Sequence, residues 1–85
     1  MDVYKIEAIL RALSVMDALQ SQEGSYRLGI VATWSCLSRA TCDRYLKRMA
    51  AWGLVAISTK KYKGSLCREF GITQEGRDFK GILWG

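Results

Sequence analysis

"LSRATCDRYLKRMAAWGLV", Leu37 to Val55, combines an apolar repeat with four basic side chains. At 100° per residue, Cys42, Tyr45, Leu46, Met49, Trp52 and Gly53 fall within a sector roughly 120° wide. Ala40, Asp43, Arg44, Lys47, Arg48 and Ala51 fall on the opposite side, with Arg39 and Thr41 on the borders. The spacing predicts a helix docked by one flank. Its other flank projects cations past two alanines, which let a groove wall or a polymer backbone come close. Ser38 is placed to cap the helix, because its hydroxyl can accept from the free amides of the first turn. Gly53 is placed to end it in left-handed backbone.

Working outward, a short helix over about Leu28–Trp34 precedes a tight connection at Ser35, Cys36 and Leu37. Two short helices so joined, over residues 28–53, form a helix-turn-helix. Upstream, residues 1–24 read as one helix from Val3 to Gln22, stopped by Gly24. Its apolar positions (among them Ile6, Ile9, Leu10, Leu13, Met16 and Leu19) cover well over half the circumference, leaving a polar strip around Glu7, Arg11 and Ser14. Either later segments wrap both sides of this helix, or the surplus forms a homodimer contact. The second reading is slightly favoured, because exposed apolar patches usually mark interfaces.

Downstream, residues 54–72 read as a hairpin. "LVAIST" is β-branched, "KKYKGS" is a polar tip and "LCREFGI" returns with Leu66, Phe70 and Ile72 on one side. Thr73 then caps a short last helix within residues 73–85, whose Phe79, Ile82 and Leu83 can fold back on the core. The fold class is α+β: three helices, a two-stranded hairpin and a short C-terminal helix in a single domain of 85 residues. A chain this short buries only about 60% of its unfolded surface, which leaves little room for a substrate cleft beside the core.

The net charge of +5 is unevenly spread. From Arg27 to Arg68, nine basic residues face one acid, Asp43, for a local charge of +8. Residues 1–26 carry −2 and residues 69–85 carry −1. Such a basic middle attracts a polyanion to one face. Solvated helix faces normally intersperse acids with bases, so this near-absence of acids favours phosphate as the partner. Lys60, Lys61 and Lys63 around Tyr62 form a second basic cluster that a short chain must hold close to the helix. Guarding an edge strand is the plainer role for such lysines.

Other classes recede. The N-terminus mixes charges and is no secretory or transit signal, and the longest apolar run is far below the roughly 20 residues of a membrane helix, so an intracellular, cytoplasmic protein is expected. Cys36, Cys42 and Cys67 show no CxxC spacing and histidine is absent, so neither a metal site nor a cofactor is expected. General acid–base or nucleophilic chemistry has no visible players. The expected partner is double-stranded DNA, whose major groove admits a helix. Arg39, Thr41 and Arg44 in the N-terminal half are candidates for base edges. Lys47, Arg48 and the hairpin's Lys60, Lys61, Tyr62 and Lys63 are candidates for phosphates. Asp43 is expected to steer Lys47 as an (i, i+4) pair. Competing readings are a protein-interaction adaptor, to which the broad first helix, Trp52 and Trp84 would suit, and a sequence-neutral architectural DNA binder.

The segment "LSRATCDRYLKRMAAWGLV" resembles the recognition helix of winged-helix transcription regulators. "FGITQEGRDF" resembles the segment that closes the wing in MarR-type and related archaeal single-domain families, usually written tyrosine-x-leucine-threonine-x-x-glycine. The resemblance spans about Leu28–Leu83. It implies a winged helix-turn-helix with DNA contacts from Ser38, Arg39, Thr41, Arg44 and Lys47, and from the wing around Lys61–Lys63. The chain departs from the pattern in having Phe70 and Gly71 ahead of Ile72, and in lacking the long flanking helices that build MarR-type dimers and their effector pocket.

Overall fold

The computed structural model describes residues 2–20 and 24–84, the side chains of residues 20, 83 and 84 excepted. Helix α1 spans Val3–Gln20, strand β1 Tyr26–Arg27, helix α2 Leu28–Ser35 and helix α3 Arg39–Ala51. Strand β2 spans Val55–Tyr62, strand β3 Ser65–Ile72 and helix α4 Gln74–Trp84. The sheet is antiparallel with the order β1-β3-β2. This is the α+β winged helix expected from the sequence, with one strand added.

The core forms where three apolar stripes meet. Ile6, Ile9, Leu10, Leu13 and Met16 recur at helical spacing along α1 and are buried. Cys42, Tyr45, Leu46 and Met49 do the same on α3, and Val31, Leu54, Val55 and Phe70 close the cluster. Later segments thus wrap most of α1, while Tyr4, Val15 and Leu19 stay exposed on its outer side.

The two helices of the helix-turn-helix end in the same way. After α2, the amide of Leu37 donates to the Ala32 carbonyl at 3.0 Å and that of Cys36 to Thr33 at 3.2 Å. After α3, Leu54 donates to Met49 at 2.9 Å and Gly53 to Ala50 at 3.0 Å. Both are Schellman caps, in which one left-handed residue lets two amides satisfy the last carbonyls. Gly53 takes that position at φ 80°, as its lack of a β-carbon allows. In α2 the position falls to Cys36, at φ 58°.

The wing is pinned to the end of α3 at one point. The Thr73 hydroxyl donates to the Gly53 carbonyl at 2.6 Å and accepts from the Gly76 amide at 3.0 Å. A β-carbon at residue 76 would lie 2.1 Å from the Leu54 carbonyl oxygen, so only glycine lets α4 start against that turn. The threonine-x-x-glycine motif is therefore a packing requirement between the wing's return and the end of α3.

Several expectations are corrected. Helix α1 ends at Gln20, short of the expected end at Gln22; residues 21–23 lie outside the described residues. Gly24 is not left-handed, since among the described glycines only Gly53 and Gly64 have positive φ. Its amide instead donates to Asp17 at 3.1 Å. Trp52 does not dock α3: the Schellman turn draws Leu54 inward and leaves Trp52 53% exposed. Leu66, expected beside Phe70 and Ile72, is 74% exposed, because four strand residues carry it about 13 Å beyond Phe70 and past the edge of the core. Ile82 is 77% exposed, while Phe79 does pack on the core. The side chain of Leu83 lies outside the described residues. Strand β1 was not expected, since two residues carry no readable alternation.

Candidate nucleic-acid interface

Ser38 caps α3 as expected, with extended backbone and a hydroxyl that accepts from the Thr41 amide at 3.2 Å. The same hydroxyl donates to the Thr41 hydroxyl at 3.0 Å. The apolar side of α3 is sunk in the core, so Ala40, Arg44, Lys47, Arg48 and Ala51 face outward together. Lys47 pairs with Asp43 at 2.9 Å, the expected (i, i+4) geometry. Arg39, Arg44 and Arg48 have no ion-pair partner among the described residues. Arg39 does not project along the helix. Its guanidinium folds back against α2, where a β-carbon on Gly29 would come within 2.9 Å of it.

In the wing, the turn itself is only Lys63–Gly64, both at positive φ (48° and 83°), the geometry of a two-residue hairpin loop. Lys60, Lys61 and Tyr62 belong to β2 rather than to the tip. Successive side chains of a strand point to opposite faces, so the lysine pair is split. Lys60 and Tyr62 share a face with Glu69, and Lys61 shares the other with Leu66 and Arg68.

Glu69 organises its face of the wing. Its carboxylate is only 3% exposed and accepts from the Ser25 hydroxyl at 2.6 Å, the Tyr62 hydroxyl at 2.6 Å and the Lys60 ammonium at 3.2 Å. The hydrogen bonds from Ser25 and Tyr62, followed by that from Lys60, outweigh burial and hold its pKa down to about 2. The Tyr62 ring is covered in turn by the Arg27 guanidinium, 4.2 Å from its centroid. Lys60 and Tyr62 are thus committed to a carboxylate. Lys61, Lys63 and Arg68 have no ion-pair partner among the described residues.

Between the two basic elements runs an open groove of about 730 Å³. Arg39 and Asp43 of α3 line one wall, Cys67 and Arg68 of β3 the other, and Arg27, Gly29 and Trp34 its base and end. Recognition helix and wing therefore share a concavity. Arg27, Gly29, Arg68 and Glu69 escaped the sequence reading. The one available signal was Glu69 itself, an isolated acid at the end of a basic run, in a strand where acids are uncommon. Among the described residues, no three His, Cys, Asp or Glu side chains come together as a metal would require, and no helix is long and apolar enough to cross a membrane.

Residues 8–56, from α1 into β2, match the family model of the IclR helix-turn-helix domain. In structure the chain is similar to Stf76 from the Sulfolobus islandicus plasmid-virus pSSVx, with a TM-score of 0.59 and 15% identity over 85% of this chain and 92% of that one. At that identity the likeness is one of fold. No curated protein matches the sequence. The resemblance to MarR-type regulators carries the winged-helix class; the family that matches is the IclR type.

Proposed function

The chain belongs to the IclR helix-turn-helix family, and from that premise we propose that it is a sequence-specific, double-stranded DNA-binding transcription regulator without enzymatic activity. The observation that carries this reading is the set of cations left without carboxylate partners. Arg44 and Arg48 on the outer side of α3, and Lys61 and Lys63 on the wing, flank a groove that both elements line. In this reading the N-terminal half of α3 enters the major groove. Arg44, with Thr41 beside it, reads base edges, because a guanidinium can meet both acceptors of guanine at once. Arg48, Lys61, Lys63 and the capping Ser38 meet phosphates. Lys47 is shared with Asp43, and Lys60 and Tyr62 hold the wing in shape rather than touching DNA.

Titration of duplex DNA against salt tests this. With about five phosphates neutralised, the log–log slope should lie near −4 to −5, and Arg44→Ala should flatten the preference among sequences. A chain that binds no duplex would instead be a protein-interaction adaptor, and equal loss on every sequence for Arg44→Ala would make it an architectural binder. The exposed Tyr4, Val15 and Leu19 on α1 favour, as a second reading, a homodimer through that helix. Sedimentation equilibrium, with Leu19→Lys as the disrupting variant, decides that point.

A further inference from the structure

We infer that the groove between α2 and β3 grips a phosphodiester of the bound DNA strand, an inference that rests on the DNA-binding reading and adds a site to it. Three arginines from three different elements line this groove: Arg27 from β1, Arg39 from α3 and Arg68 from β3. Like charges brought together without an intervening carboxylate repel one another, and such an arrangement is stable only where an anion is to be received. Asp43 is the one acid in the lining, and it is engaged by Lys47 at 2.9 Å.

Two of the three guanidiniums are held rather than loose. Arg27 lies flat over the Tyr62 ring, which Glu69 in turn holds by its hydroxyl. Arg39 reaches the groove only because residue 29 has no side chain. A glycine in the first turn of a helix costs stability relative to alanine, roughly 1 kcal/mol at interior positions, and here it makes the room that Arg39 occupies. The groove is open along its length and walled by both recognition helix and wing, so it suits a strand passing from one to the other better than a compact molecule. Arg39 thereby becomes a phosphate ligand rather than a reader of bases, and Arg27 and Arg68 join it.

The test compares the wild-type chain with Arg68→Ala, Arg27→Gln and Gly29→Ala in the same salt titration on duplex DNA. Each arginine variant should reduce the slope by about 1, and should weaken binding to every sequence alike. Gly29→Ala should weaken binding while folding at least as stably as wild type, since it meets only the movable end of Arg39. In an Arg39→Ala background it should have no further effect on binding. Duplex binding with all slopes unchanged would overturn the groove site and leave the recognition helix standing. Absence of duplex binding by the wild-type chain would overturn both. Binding of inorganic phosphate without duplex binding, lost in Arg68→Ala, would replace the strand by a free anion.

Discussion

Helix α3 and the wing are both basic, yet their cations meet different fates. On α3 one acid, Asp43, pairs with Lys47 and leaves Arg44 and Arg48 free. On the wing a buried acid takes Lys60, Tyr62 and Ser25 together and leaves Lys61 and Lys63 free. The difference is one of support. Helix α3 is held by a row of fully buried side chains, whereas the wing extends past the core and has few apolar contacts to hold it. A polar knot replaces packing there. Composition alone does not tell which lysine is available to a partner; the nearest carboxylate does.

The sharpest way to break this contrast is the same substitution in both regions. Leu46→Ala should cost about 2–5 kcal/mol of folding stability through a cavity, while Leu66→Ala should stay within about 0.5 kcal/mol, both by chemical denaturation. Equal costs would show that the wing is packed as firmly as the helix. Glu69→Gln comes next, with an expected loss of about 1.5–3 kcal/mol at neutral pH, because three donors lose a charged acceptor. Its acid dependence carries a sign. The carboxyl titrates near 2 in the folded chain and near its ordinary 4.5 when unfolded, so its contribution is complete above about pH 4.5 and is lost as pH falls towards 2. Melting temperatures across that window should converge for wild type and Glu69→Gln. The smallest effect concerns the two Schellman caps. Cys36→Gly should gain up to about 1 kcal/mol, since the residue already sits at φ 58° and glycine removes the strain of its β-carbon.

How much of this was legible in the sequence follows the same division. The α3 stripe, its Ser38 cap, its Gly53 terminator and the Asp43–Lys47 pair were all readable, because each depends on residues within a few positions of one another. The hairpin was readable too, but its inner bonds were not. Glu69 lies nine residues from Lys60 and 44 from Ser25, and only the register of β2 on β3 and the unforeseen strand β1 bring them together. Trp52 and Leu66 were misread for a related reason: periodicity says which way a side chain points but not where the core ends. Arg27 and Arg68 stand at opposite ends of the basic segment, and no local pattern places them in one groove.

The Thr73 hydroxyl joins the last turn of α3, at Gly53, to the first turn of α4, at Gly76. The hairpin leaves and re-enters the body of the domain at that junction, so it is tethered like a flag with both corners tied to one mast. Any torque that a bound polymer exerts on the flap is delivered to the foot of the recognition helix, and the two grips tighten or release as a single lever.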